Sequence, residues 1–369
     1  MLIASTSAKN SFPFPLFCCC CSESECSAAC LRSMQRVLAR ALRTARSLFS
    51  PRMSTPSTFL QYDPQETDED DAWKPVQGTR VDTNASQKPP TTVTVLTWNV
   101  WFERLAQDQR YRALLDTVLD PTRAVDVACF QEVEDNFWET LQAHPAVRAS
   151  WLISDWEQQR RACWYGTAII VRKAWLATVG GSATCTLVPY NNSRMGRQLL
   201  LAQFSGPGRG APFLTVGTTH LESMPQDRPQ RDGQMRLALE CFEDEAPAGS
   251  PLVWCGDTNI EAYSELVPML DAGFTDVLLS ANRDAFAGND SDETLRRTLP
   301  TFGTTFPKHM IGDLRARRLD YILSKNVEVM SATRVGDEPL PDVTGDGREG
   351  KLYPSDHLGV CTTLRVSAA

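Results

Sequence analysis

The sequence has no uninterrupted apolar run near the ~18 residues that a membrane-spanning helix needs, so no segment reads as a span and no membrane partner is expected. It has no surplus of positive charge either: 37 Lys and Arg stand against 45 Asp and Glu, a formal net charge of −8. That balance argues against a basic protein that coats long stretches of nucleic acid. Beyond residue 30 no two cysteines form a Cys-x-x-Cys pair, the spacing a structural zinc site uses. Internal repeats are absent, and histidine is scarce, with four in 369 residues.

What is present divides unevenly. At 42% hydrophobic and 22% charged, the composition is that of a globular protein. Residues 1–91 carry a net charge of +1 and the remainder −9. An acidic domain can still handle phosphates if a divalent cation supplies the positive charge. Six of the twelve cysteines fall in the first thirty residues. The other six sit mostly in apolar surroundings, as buried free thiols of a reducing compartment would. Residues 26–62 hold six arginines and no acid, with Arg32, Arg36, Arg40 and Arg43 on one helical face. This resembles a mitochondrial transit segment over residues 26–55. The alternative is a basic leader without a targeting role, with Met34 or Met53 as the working start. Location is accordingly nuclear or cytoplasmic, or mitochondrial if the leader targets. Residues 50–91, rich in Pro, Ser, Thr and Gln, read as linker. The expectation is a disordered leader and linker over 1–91 and one folded domain over 92–366.

Within that domain one pattern recurs. A short apolar, β-branched run ends abruptly in residues that chelate or move protons. Residues 93–97 lead into Trp98-Asn99, and 125–130 into Gln131-Glu132. Residues 213–219 lead into His220-Leu221-Glu222-Ser223, and 251–255 into Gly256-Asp257-Thr258-Asn259. Such runs bounded by Gly, Pro or Asn are strand signals, and polar residues just past strand ends are where α/β proteins keep their sites. Helical spacing marks 110–119, 233–242 and 263–270. Near the C-terminus, Arg318-Leu319-Asp320-Tyr321 puts an acid inside an apolar strand, where it needs a partner. Ser355-Asp356-His357 then precedes a last strand.

Taken singly, each of these groups has a plain reading. Asn99 suits a turn, Glu132 a surface loop, His220 a satisfied core position, and Asp257 with Asn259 a tight turn. Alternatively, Glu132 holds a hard cation such as Mg²⁺, and strand alternation points Asp257 and Asn259 to one side.

Taken together, the order Asn, Gln-Glu, His-x-Glu, Gly-Asp-x-Asn, Asp, Ser-Asp-His resembles the endonuclease/exonuclease/phosphatase superfamily. Within it, the forms His220-Leu221-Glu222-Ser223, Gly256-Asp257-Thr258-Asn259 and Ser193-Arg194-Met195-Gly196-Arg197 are most similar to the 5′-tyrosyl-DNA phosphodiesterase branch. The resemblance spans about residues 92–366. It implies an α/β fold, a deoxyribonuclease I-like four-layer sandwich of two sheets flanked by helices. Two departures stand out. Val100-Trp101-Phe102-Glu103 replaces the Gly- and Asp-containing loop of the animal enzymes, and the aromatic substrate wall falls on Phe306 in a changed setting.

The resemblance also implies roles. Glu132 would be the principal ligand of one Mg²⁺ or Mn²⁺, helped by Asn99 and Asp356. Asp257, oriented by Asn259, would accept a proton from the attacking water, and Asn259 would also hold that water or a phosphate oxygen. His357 and His220 would donate to phosphate oxygens, with Asp320 holding His357 protonated. Arg197, Arg228 and Arg231 would contact the nucleic-acid backbone, with Phe306 stacking a base of a single-stranded terminus. The implied partner is a DNA 5′ end carrying a phosphotyrosyl adduct from trapped topoisomerase, met by a monomeric DNA-repair enzyme. Two rivals stay open: another phosphodiesterase of the superfamily, such as a 2′,5′-oligonucleotide phosphodiesterase, and a non-catalytic scaffold of the same fold.

Overall fold

The computed structural model describes residues 54–66, 72–76, 92–206, 212–286, 291–305, 316–341 and 351–366. The leader and most of the expected transit segment lie outside the described residues, as does Phe306. Fifteen strands are described: β1 (Thr55–Ser57), β2 (Phe59–Tyr62), β3 (Trp73–Pro75), β4 (Thr92–Asn99), β5 (Val127–Val133), β6 (Trp151–Ser154), β7 (Gly166–Arg172), β8 (Ser182–Pro189), β9 (Gln198–Ser205), β10 (Leu214–His220), β11 (Leu252–Asp257), β12 (Thr275–Asp276), β13 (Asp320–Lys325), β14 (Glu328–Val335) and β15 (Gly359–Arg365). They form a seven-stranded sheet, β1-β8-β9-β10-β11-β13-β12, and an eight-stranded sheet, β14-β15-β4-β5-β7-β6-β2-β3.

Strand alternation builds the layers. Val93, Val95, Val127 and Cys129 face the other sheet and pack with Leu200, Val216, Val253, Cys255 and Ile322 in a core between the sheets. Their neighbours Leu96, Trp98, Ala128 and Phe130 point the other way. There they meet α1 (Gln107–Leu119), which buries Tyr111, Leu114, Leu115 and Val118, and α2 (Asp135–Ala143), which buries Phe137 and Leu141. On the far side Trp254, Tyr321 and Leu323 pack with Met235, Ala238 and Phe242 of α3 (Arg228–Glu245). Helix, sheet, sheet, helix is the four-layer order expected. The described cysteines are free thiols, four of them buried. Among the described residues, no helix is long and apolar enough to cross a membrane.

Two expectations are corrected. Residues 50–91 do not serve only as linker, because β1, β2 and β3 pair into the sheets and Phe59 is a buried core residue. These strands are three or four residues long and carry no apolar run. The helix expected over 263–270 is a 3₁₀ turn, Tyr263–Leu266, followed by a short helix, Val267–Asp271.

The pairing directions bring the site together. β4 and β5 run parallel at the centre of one sheet, and β10 and β11 run parallel at the centre of the other. Their C-terminal ends carry Asn99 and Glu132, and His220 and Asp257. The antiparallel strands β13 and β15 begin at the same edge, so Asp320 lies opposite Asp257 and His357 just precedes β15.

Candidate active site

Glu132 is aimed by a break in its strand. The pairing of β5 with β7 shifts register between Gln131 and Val133, and Glu132 sits in that bulge at φ 60°. A non-glycine residue held there costs about 1–3 kcal/mol and persists only when its surroundings enforce it. Two hydrogen bonds do so here. Asn99 Nδ2 donates to Oε1 at 3.1 Å, and the Phe102 N–H donates to Oε2 at 3.2 Å. Asn99 also donates from Nδ2 to Asp257 Oδ2 at 2.9 Å, and its Oδ1 accepts from the Trp101 N–H. It therefore bridges the two sheets' carboxylates.

Asp257 ends β11 immediately after Gly256, whose φ of 138° and approach to Thr219 leave no room for a side chain: a Cβ would lie 1.9 Å from the Thr219 oxygen. Its Oδ2 faces His220 Nε2 at 3.3 Å and His357 Nε2 at 3.8 Å, besides Asn99. Burial pushes the Asp257 carboxyl up to about 6, against the pull of the neighbouring His357.

The two imidazoles differ. His357 Nδ1 lies 2.8 Å from Asp320 Oδ2. Burial opposes a second proton on that ring, but Asp320, Asp356 and Asp257 outweigh it and hold its pKa well above the usual value. His220 Nδ1 instead accepts from the Arg197 guanidinium. Burial, then Arg197 and His357, push its pKa well below the usual value. A neutral ring that accepts at Nδ1 carries its proton on Nε2, where it donates to Asp257.

Cation-ligating atoms meet in two groups, Glu132 with His220 and Asp257, and Asp257 with Asp320 and His357, each within 4.8 Å. Both nitrogens of His220 and Nδ1 of His357 are committed to hydrogen bonds, and the carboxylates around His357 favour its doubly protonated ring, which has no lone pair for a cation, so the ligand atoms left are carboxylate oxygens. That set suits a hard cation such as Mg²⁺. Asp356 supports the fit: burial, with Glu132 and Asp257 adding to it, pushes its carboxyl up to about 7. Glu132, with Asp356 and Asn99 beside it, would hold the ion.

The structure brings together Asn99, Glu132, His220, Asp257, Asp320, Asp356 and His357, but it turns His220 Nε2 to Asp257 instead of leaving it for a phosphate oxygen. Others differ. Asn259 does not continue an extended segment; it turns at φ 50°, donates its backbone N–H to Asp257 Oδ1 at 3.1 Å, and spends Nδ2 on the Leu221 carbonyl. It orients Asp257 through the backbone. Arg231 is no backbone contact: it is fully buried, paired with Glu265 at 2.8 Å and bonded to the Glu222 and Met224 carbonyls. Its spacing to Met235, Ala238 and Phe242 puts it on the buried stripe of α3, a periodicity visible in the sequence. Arg228 is exposed three residues earlier, and Arg197 faces His220 rather than solvent. Glu222 is buried away from the cation group and anchors the 193–195 loop by accepting from the Arg194 and Met195 N–H groups.

Three contributors went unnoticed in sequence. Arg110 of α1 is fully buried and donates to the carbonyls of Val100, Trp101, Glu103, Leu105 and Pro354, tying together the two loops that carry the Glu132 contacts and Asp356. Ser355 Oγ donates to the Asn99 carbonyl at 2.7 Å. Thr301 Oγ1 accepts from the Leu319 and Asp320 N–H groups, fixing the carboxylate behind His357.

The family model for the Endonuclease/Exonuclease/phosphatase family matches residues 96–357. Solved structures of similar fold include D. rerio TDP2 complexed with a single-strand DNA product, at 23% identity and a TM-score of 0.54, covering 75% of this chain and 100% of that one. TDP2 from C. elegans is 22% identical with a TM-score of 0.56, covering 74% of this chain and 75% of that one. An endonuclease/exonuclease/phosphatase family protein from Bacteroides thetaiotaomicron is 16% identical with a TM-score of 0.53, covering 76% of this chain and 99% of that one. No curated protein matches the sequence.

Proposed function

Since the chain belongs to the endonuclease/exonuclease/phosphatase family, whose members hydrolyse phosphodiester bonds, we propose that it is a Mg²⁺- or Mn²⁺-dependent phosphodiesterase that removes tyrosine from DNA 5′ ends. One observation carries the reading: a single carboxylate oxygen, Asp257 Oδ2, lies within 3.8 Å of two imidazoles, one backed by Asp320 and the other by Arg197, with the Glu132 carboxylate one amide away.

Asp257 takes a proton from the attacking water, and its raised pKa makes it a stronger base than an ordinary carboxylate. The water oxygen bonds to phosphorus as the bond to the tyrosyl oxygen breaks. His357, its Nδ1 proton locked by Asp320, presents its Nε2 proton to a phosphate oxygen. His220 and Asn99 keep Asp257 in place. Glu132 would hold a divalent cation, which would supply positive charge to the reacting phosphate. The D. rerio neighbour, which carries a single-strand DNA product, supports a nucleic-acid end as substrate. A monomer suffices for this chemistry.

The test is tyrosine release from a 5′-phosphotyrosyl oligonucleotide, with Mg²⁺ and with EDTA, beside 2′,5′-linked oligoadenylate. Metal-dependent release of tyrosine in preference to adenylate cleavage is expected. Cleavage of adenylate alone would discard the repair role, and turnover of neither would revive the scaffold reading.

A further inference from the structure

Outside the strand ends, three rings form a wall. Trp164 is 61% exposed, more than any other large hydrophobic side chain among the described residues. Its ring centroid lies 4.5 Å from Tyr165 and 4.9 Å from Phe102, and those two are 5.7 Å apart. The wall joins the site at three points. The Phe102 N–H holds Glu132 Oε2, the Tyr165 ring stands edge-on to His220 at 6.3 Å, and Arg197 Cζ lies 5.0 Å over Tyr165.

It is also braced from behind. Cys163 Sγ and Tyr165 OH both donate to the Met195 carbonyl, at 3.6 and 3.3 Å. Gly196, at φ 70°, packs so closely that a Cβ would lie 2.9 Å from Cys163 Sγ. Trp164 therefore offers water a flat face on a fixed support, the arrangement that stacks another ring with little loss of side-chain freedom.

We infer that Trp164 and Phe102 form a subsite for an aromatic leaving group, setting a preference for aryl over alkyl phosphodiesters. This rests on the phosphodiesterase reading and deepens it. In an in-line displacement the attacking and leaving oxygens lie on opposite sides of phosphorus. Asp257, the proton acceptor, bounds one end of the site. Glu132 bounds the other, separated from Asp257 by Asn99 and capped by Phe102. The group on the leaving oxygen then emerges against Phe102 and Trp164. A phenyl ring gains a stacking contact there that an alkyl group of similar size does not.

Two oligonucleotides of one sequence test this, one ending in 5′-phosphotyrosine and the other in a 5′-phosphoalkyl ester. For Trp164→Ala the aryl-to-alkyl ratio of kcat/KM is expected to fall about tenfold, with Trp164→Phe keeping most of it. An unchanged ratio would overturn the subsite, whether or not both rates fell. Binding of the same oligonucleotides in EDTA, read by anisotropy, needs no turnover. A wild-type preference for the aryl end that Trp164→Ala abolishes would support the subsite even if the protein hydrolysed neither, an outcome that would sink only the phosphodiesterase reading. Equal binding of both ends by the wild type would overturn the subsite alone.

Discussion

Two walls of one site carry the same side chain and do opposite things with it. On the wall built from β13 and the start of β15, His357 backs onto the carboxylate of Asp320. On the wall built from β10 and the 193–197 loop, His220 backs onto the guanidinium of Arg197. Both rings reach the same oxygen of Asp257, at 3.8 and 3.3 Å. The groups around each ring bias its charge in opposite senses: Asp320, with Asp356 and Asp257, holds the pKa of His357 up against burial, whereas burial, reinforced by Arg197, holds that of His220 down. In the proposed reaction one wall would supply a proton donor for phosphate, while the other would brace the base.

Removing the backing carboxylate should have the largest effect on this contrast. Asp320→Asn is expected to lower kcat about 10–100-fold, the usual loss when a supporting partner of a functional histidine is removed. It should also bring the pKa of His357 down towards the ordinary value, as followed by NMR. An unchanged kcat would remove the distinction between the walls.

A smaller loss is expected on the other side. Arg197→Met takes away a charged hydrogen bond, worth on the order of tenfold in rate. It should also raise the pKa of His220, though burial and the neighbouring His357 still hold it down. Should Arg197→Met prove more damaging than Asp320→Asn, the roles of the two walls would have to be exchanged.

The smallest effect is in stability. The raised pKa of His357 contributes stability that is present below its unfolded value of 6.5 and lost as pH rises through the folded value. The Asp356 carboxyl, raised to about 7, acts in the same sense. His220, with a lowered pKa, acts oppositely, losing stability only as pH falls below 6.5. The metal-free protein should therefore lose Tm as pH rises from the carboxylate range through about 7, with His357 extending the loss above 6.5. The gain in Tm on adding Mg²⁺ should grow over the same interval, since ionised carboxylates bind the ion best. A Mg²⁺ effect that shrinks with pH would contradict the placement of the cation among them.

The sequence made the strand ends legible because β4, β5, β10 and β11 are apolar runs that stop at a polar residue. Edge strands such as β14, mostly exposed and without an apolar run, gave no such signal. Asn99, Glu132, His220, Asp257 and His357 could be named from order alone. The carboxylate behind His357 came with them, but the lowered pKa of His220 did not, because Arg197 lies 23 residues away and meets that ring only in the fold. Arg231 and Arg228 look alike as residues; only the phase of α3 separates the buried one from the exposed one. The wall of Phe102, Trp164 and Tyr165 was equally hidden, since residues about sixty apart meet only through the approach of two loops.

The most direct test of the account is tyrosine release from a 5′-phosphotyrosyl oligonucleotide in Mg²⁺ by the wild-type protein and by Glu132→Ala. Metal-dependent release by the wild type and a loss of at least about 10²–10³-fold in the variant are expected. Full release by Glu132→Ala would contradict it.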